Sequence, residues 1–282
     1  MTKITVGFSD ERELVEAFAK VLKTKAVWAK VDAFPSGELR VIGPAKAPRE
    51  VTVVVNIDED PASLFLAASL AEALRGAGAA KVTLIAPWIA YGRQDRAVKK
   101  GESPAGLVVA RSLSHAFDKI VTLDAHSPAF IKAFKRKLKN VLPTKEFLPT
   151  TLDDRTLVVA PDQGASERAK IFSKHLRLPC AVMEKIRKGE KVTARPLAKS
   201  STFAGARVLL VDDMADTGQT LVAAAKVLYN NGAVDVQALV THAFDLKHLN
   251  KLLDLSSVHV WSVYDHANPE HLPEEAVRLL AA

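Results

Sequence analysis

Short apolar runs alternate along this chain with longer stretches whose apolar residues recur every three or four positions. The short runs predict strands at Val51–Val55, Lys81–Ala86, Lys119–Leu123, Leu157–Ala160, Ala206–Val211 and Val236–Thr241. The longer patterns predict helices at Glu11–Leu22, Ala62–Arg75, Ala105–Ala116, Ala165–Leu176 and Gln219–Asn230. Strands alternating with helices imply βαβ units around parallel sheets.

The pattern repeats. A shift of 154 residues lays Asn56–Ala86 on Leu210–Val240 without a gap, and matches Asp58 with Asp212, Leu74 with Leu228, Gly78 with Gly232 and Val82 with Val236. This predicts two similar doubly wound α/β domains, residues 1–145 and 146–282, joined in a stretch that holds Pro143 and Pro149. One large open sheet is the alternative if the match is fortuitous. The two copies differ where a ligand would sit. The second reads Asp216-Thr217-Gly218-Gln219-Thr220, whereas the first reads Ala62-Ser63-Leu64-Phe65-Leu66, where Leu64 and Phe65 offer a phosphate neither close backbone approach nor polar donors.

Composition narrows the classes. With 48% hydrophobic and 25% charged residues among 282, the chain is globular rather than disordered. Its one cysteine, Cys180, sits among apolar neighbours and can build neither a disulfide framework nor a thiolate metal site. No signal-peptide pattern opens the sequence, and the apolar helix around Leu64–Leu74 is interrupted by Glu72. A cytoplasmic protein with no membrane partner is therefore expected. The net charge of +7 suits an anionic partner. Only 6% aromatic residues and no basic–aromatic stripe argue for a phosphorylated metabolite and against nucleic acid.

The strongest chemical signal follows the strand Ala206–Val211. Asp212 and Asp213 are adjacent, and Asp216-Thr217-Gly218-Gln219-Thr220 then leads into an apolar helix. A glycine for the turn, two hydroxyls and the free N–H groups of a helix start make a phosphate cradle at the carboxyl end of a parallel strand. The acidic pair beside it suits sugar hydroxyls or a metal that offsets the charge.

This run resembles the phosphoribosyl pyrophosphate (PRPP)-binding motif of phosphoribosyltransferases and PRPP synthases. Five further segments resemble the ribose-phosphate pyrophosphokinase (PRPP synthase) branch. Phe34-Pro35-Ser36-Gly37-Glu38 is similar to its Phe-Pro-Asp-Gly-Glu loop, with Ser36 in place of Asp. Tyr91-Gly92-Arg93-Gln94-Asp95-Arg96 is similar to Tyr-Ala-Arg-Gln-Asp-Arg. Asp124-Ala125-His126 and Pro161-Asp162-Gln163-Gly164 match Asp-x-His and Pro-Asp-x-Gly, and Lys185-Ile186-Arg187 matches a Lys-x-Arg pair. Many relatives have Gly where this chain has Gln219, and Trp261–His266 does not resemble the usual threonine-rich turn.

The resemblance implies two type I phosphoribosyltransferase-like domains, and an enzyme that moves the β,γ-pyrophosphoryl group of ATP to ribose 5-phosphate, giving PRPP and AMP. It assigns ATP to Phe34, Ser36, Gly37, Glu38, Arg93, Gln94, Asp95 and His126. It assigns ribose 5-phosphate to Arg187, Asp212, Asp213, Asp216, Thr217, Gly218, Gln219 and Thr220. Mg²⁺ goes to His126 and Asp162, and catalysis to Lys185 and Arg187 on a mobile flap. It also implies a homodimer or larger homo-oligomer, in which Phe34–Glu38 reaches a neighbour's nucleotide. A PRPP-consuming transferase and a non-catalytic regulatory relative remain the alternatives.

Overall fold

The computed structural model describes residues 3–143, 147, 152–188, 191–196, 202–254, 257–268 and 271–282. The chain forms two compact units, residues 1–142 with 269–282, and residues 143–268. The sequence reading ran its second domain through to Ala282. Instead, helix α8 (Glu274–Ala281) returns to the first unit and packs on α1 (Arg12–Leu22), burying Ala276, Val277 and Leu280. Its amphipathic stripe is too short to stand alone and needs that partner.

In the first unit the strands are β1 (Ile4–Phe8), β2 (Lys25–Ala33), β3 (Leu39–Ile42), β4 (Glu50–Val54), β5 (Lys81–Ala86), β6 (Lys119–Leu123) and β7 (Leu138–Val141). They lie in the order β3-β2-β1-β4-β5-β6-β7, all parallel except β3, which folds back on β2. Helices α2 (Pro61–Gly76), α3 (Ala105–Ala116) and α4 (Pro128–Ala133) connect the later strands. Asp60 starts α2 by accepting a hydrogen bond from Ala62 N–H at 2.9 Å, with Pro61 in the first turn.

The second unit holds β8 (Thr156–Ala160), α5 (Ser166–Leu176), β9 (Cys180–Lys188), β10 (Lys191–Pro196), β11 (Arg207–Ala215), α6 (Gln219–Asn230), β12 (Asp235–Ala243), α7 (Leu246–Asp254) and β13 (Val258–Asp265). Its sheet order is β10-β9-β8-β11-β12-β13, with β10 alone antiparallel. The run β2-β1-β4-β5-β6 therefore has the same topology as β9-β8-β11-β12-β13. In both units the chain reverses its direction of winding between two central strands, β1 and β4 or β8 and β11, where the carboxyl ends open a ligand crevice.

The 154-residue shift holds through the helix and the following strand but not through the strand before. Glu50 faces Lys81, whereas Arg207 faces Asp235, so strand-to-strand spacing is three residues shorter in the second unit. Strand β4 ends at Val54 and needs residues 55–60 to reach its helix. Strand β11 runs on to Ala215 and reaches its helix through Asp216–Gly218. The Asp58–Asp212 identity is thus not a structural equivalence. Strands β1, β2, β3, β7, β9, β10 and β13 escape the periodicity: β3 and β7 have only four residues each, and β2 carries Lys25, Lys30 and Asp32 at exposed positions. Among the described residues no helix is long and apolar enough to cross a membrane.

At the first unit's reversal point a buried carboxyl ties three strand ends. Glu11 Oε1 accepts from Asn56 N–H at 2.9 Å and Nδ2 at 2.8 Å, and Asn56 Oδ1 accepts from Trp88 N–H at 3.0 Å. Burial, opposed by the Asn56 hydrogen bonds, raises Glu11 from 4.5 to about 7. Because the folded pKa lies above the unfolded one, the stabilisation is complete below about 4.5 and fades as pH rises through 7. From pH 5 to pH 8 this amounts to about 2–3 kcal/mol. Glu11→Gln keeps the acceptor and cannot ionise. Urea unfolding should show its pH dependence flattened by that amount, with the variant the more stable at pH 8. An unchanged slope would remove Glu11 as the cause.

Candidate active site

The first unit brings together two motifs more than thirty positions apart. Tyr91–Arg96 follows β5, and Asp124–His126 follows β6, the neighbouring strand. Ser127 Oγ donates to Asp95 Oδ2 at 2.6 Å and accepts from Phe130 N–H at 3.1 Å, so one serine caps α4 and anchors the first loop. A Cβ on Gly92 would stand 3.1 Å from the His126 Cβ. Arg93, Gln94, Asp95 and His126 are thereby held on one surface at the sheet's carboxyl end. Tyr91 and Asp124 both hold left-handed backbone, φ 64° and 46°. Tyr91 is fixed by its hydroxyl, which donates to Glu59 O at 2.6 Å. Asp124 is fully buried, and its N–H donates to Val141 O at 2.7 Å. Such backbone costs about 1–3 kcal/mol and persists where surrounding structure holds a site in place.

Gly106 locks this junction to α3. Its N–H donates to Gln94 O at 3.0 Å, and a Cβ there would lie 2.6 Å from Tyr91 O and 3.1 Å from Gln94 O, both backbone atoms. Gly106→Ala should cost about 1–3 kcal/mol of stability and displace the Tyr91–Arg96 loop. Chemical unfolding and amide hydrogen exchange of Tyr91–Arg96 would both register it, and wild-type values in both would contradict the packing described.

The Phe34–Glu38 turn joins β2 to β3. Phe34 N–H donates to Glu38 O at 2.9 Å, Gly37 N–H donates to Phe34 O at 2.8 Å, and Ser36 Oγ donates to Glu38 Oε2 at 2.8 Å. Ser36 thus engages the carboxylate next to it. The half-exposed Phe34 ring lies 5.1 Å from the Arg40 guanidinium, which also pairs with Asp32 at 2.9 Å. Strands β1 and β4 stand between β2 and β5, a separation of about 14 Å at ordinary strand spacing. Within one chain the turn is not brought to the His126 junction.

In the second unit Asp162, Arg168, Asp212 and Asp213 form one electrostatic group around the β8–β11 reversal point. Asp162 Oδ1 accepts from Gly164 N–H at 2.9 Å, which shapes the turn into α5. Asp212 Oδ1 accepts from Asp213 N–H at 2.9 Å. Burial and then the charge of Asp213 push Asp212 well above the usual carboxylate range, while Arg168 pulls it back. Such a pair favours a cation or hydroxyl donors against it. Arg168, only 8% exposed, was missed by the sequence reading. Its signal was a charge on the α5 face that also carries Ala169 and Phe172.

Asp216, Thr217 and Gln219 are exposed, Gly218 is buried and Thr220 is half-buried. Gly218 caps α6 with φ 70° and ψ −4°, a conformation that a side chain resists, and its carbonyl accepts from Val222 N–H at 3.0 Å. The first turn of the helix, whose N–H groups have no partner within the helix, therefore lies beside two threonines. Gln219 occupies the first helical position, where ordinary side chains fit. Lys185 and Arg187 lie on β9, in register with Ala194 and Val192 of β10. The expected flap is thus an antiparallel hairpin; Gly189 and Glu190 fall outside the described residues.

In the second unit the carboxylates of Asp162, Asp212 and Asp213 are donors of a kind that Mg²⁺ accepts, and His126 belongs to the first unit. Among the described residues no group of three or more His, Cys, Asp or Glu could hold a metal. Phosphate oxygens and water would have to complete the coordination, as Mg²⁺ tolerates.

Two α/β units, each built on a mostly parallel sheet, one of them with a Gly218-capped loop before a helix start, have the architecture of a phosphoribosyltransferase-like protein. Residues 125–258 match the phosphoribosyl transferase domain family, and residues 3–116 match the N-terminal domain of ribose phosphate pyrophosphokinase. The ribose-phosphate pyrophosphokinase of Methanopyrus kandleri is 34% identical over 85% of this chain and 84% of that protein. That of Thermococcus kodakarensis is 36% identical over 82% and 81%. The phosphoribosylpyrophosphate synthetase of Mycobacterium smegmatis shares the fold, with a TM-score of 0.73 over 93% of this chain and 95% of that one, at 21% identity. The chain belongs to the ribose-phosphate pyrophosphokinase family.

Proposed function

We propose that this chain transfers the β,γ-pyrophosphoryl group of ATP to the anomeric hydroxyl of ribose 5-phosphate, releasing PRPP and AMP. The observation that carries the reading is the pairing, in one chain, of the Gly218-capped phosphate loop with the Tyr91–Arg96/His126 junction. A PRPP-consuming transferase has no use for the second of these.

In this reading the N–H groups and hydroxyls of Asp216–Thr220 hold the 5-phosphate, and Asp212 and Asp213 accept hydrogen bonds from the ribose hydroxyls. Arg93 forks onto nucleotide phosphates, while Gln94 and Asp95 orient the nucleoside. The Phe34–Glu38 turn serves the nucleotide of a neighbouring copy, which makes a homo-oligomer part of the proposal. Bound Mg²⁺, held by His126, Asp162 and phosphate oxygens, would neutralise charge and align the triphosphate. The anomeric oxygen attacks the β-phosphorus, its bond to the α,β-bridging oxygen breaks, and AMP departs. Lys185 and Arg187 neutralise the charge that builds on the transferred group and on the leaving oxygen. ATP labelled at the β-phosphorus should pass its label to PRPP. Label in ADP or inorganic phosphate instead would refute pyrophosphoryl transfer.

A further inference from the structure

The carboxyl ends of β11, β12 and β13 are tied together directly beneath the phosphate loop. Ala215, the residue before Asp216, accepts at its carbonyl from Phe244 N–H at 3.1 Å. The Phe244 ring stacks on His266, with centroids 4.7 Å apart and planes 14° apart. His266 Nε2 lies 3.2 Å from Nδ1 of His242, one nitrogen donating and the other accepting, and His266 N–H donates to Ala243 O at 2.7 Å. His242 has no exposed surface, and in register it faces Met214 on β11 and Tyr264 on β13. An unbroken chain of contacts therefore runs from the buried His242 through His266 and Phe244 to the first residues of the loop.

We propose that His266 is a positioning residue: its hydrogen bond to His242 fixes Phe244 and so holds the Asp216–Thr220 loop in its anion-binding geometry. It acts through the loop and does not touch the ligand; only the ligand's identity rests on the function proposed above. The contact suits that task. An imidazole pair, His242 buried and His266 half-buried, joins two strands through side chains at the height where backbone pairing of β12 with β13 ends. Burial and the neighbouring His242 push His266 down to about 3, so His266 is neutral under ordinary conditions and the tie does not change with modest acidification. The segment carrying it, Trp261–His266, is also where the chain departs from the threonine-rich turn of the proteins it resembles.

The test compares His266→Phe, which keeps the ring and its stacking on Phe244, with His266→Gln, which keeps a hydrogen-bonding nitrogen at a similar reach. Amide hydrogen exchange of the segment spanning Asp212–Val222 is measured at one pH, with β8 as internal reference. His266→Phe should raise loop exchange on the order of tenfold, as loss of one buried hydrogen bond permits, and leave β8 unchanged. His266→Gln removes the ring that stacks on Phe244 and should raise loop exchange as well. In steady state the Phe variant should raise KM for ribose 5-phosphate while leaving kcat within about twofold. Any other outcome in exchange overturns the proposal: protection kept by Phe and lost by Gln means packing alone, protection kept by Gln and lost by Phe means that the stacking on Phe244 carries nothing, and no loss means no role. If the wild type binds no ribose 5-phosphate while the exchange pattern holds, the substrate reading falls and the positioning role stands.

Discussion

Lys185→Ala should lower kcat by about 10²–10³ and change the affinity for ribose 5-phosphate little. Pyrophosphoryl transfer asks little covalent work of the protein. Charge moves onto the transferred group and the departing α-phosphate oxygen, and rate follows how well cations are placed to meet it. Lys185 and Arg187 stand at alternate positions of β9, the strand next to β8, whose carboxyl end leads to Asp162. The 5-phosphate, by contrast, is assigned to the α6 start, on a different element. A lysine that acts only in the transition state lowers kcat and kcat/KM together, and one that binds substrate raises KM alone. Steady-state kinetics with both substrates varied separates these cases. A kcat within twofold of wild type would remove Lys185 from the chemistry.

Arg168→Leu should destabilise the protein by about 3 kcal/mol at pH 8, because it leaves buried carboxylates without their cation. Arg168 is nearly inaccessible, and it opposes the rise that burial and Asp213 impose on Asp212. Without it, the folded pKa of Asp212 moves further above its unfolded value. A carboxyl raised in this way is tolerated at low pH, where it carries its proton, and costs stability as pH rises and it ionises. The defect should therefore shrink at pH 5. Denaturant midpoints at the two pH values decide the matter. An equal loss at both would mean that Arg168 contributes packing through its aliphatic stem rather than charge.

The residues that read well from the sequence were those whose chemistry is local. Asp212–Thr220 announces itself because strand, acidic pair, glycine and helix start are consecutive, and the structure shows the left-handed Gly218 that the turn needs. The α/β class was legible for the same reason, since each βαβ unit is written in one stretch of chain. What is not local was not legible. Ser127 joining Asp95 depends on β5 and β6 being neighbours, which spacing does not reveal. Glu11, Arg168 and His266 are polar groups whose partners lie far away in the chain, at Asn56, Asp212 and His242, so each looks in sequence like an ordinary charged or surface residue. The three-residue difference between the two units lies in the helix, 16 residues in α2 against 12 in α6, which a connection one residue longer before α6 only partly offsets, and an ungapped comparison cannot see it. Helix α8 could not be assigned to its unit from sequence, because an amphipathic stripe does not say which apolar surface it will cover.

The most direct test of the central claim is to supply the protein with ATP, Mg²⁺ and ribose 5-phosphate and to follow AMP and PRPP together. The account predicts equimolar formation of both, abolished when either ribose 5-phosphate or Mg²⁺ is withheld. AMP without PRPP, or neither product from folded protein that still binds ATP, would contradict it and leave the fold serving a non-catalytic role.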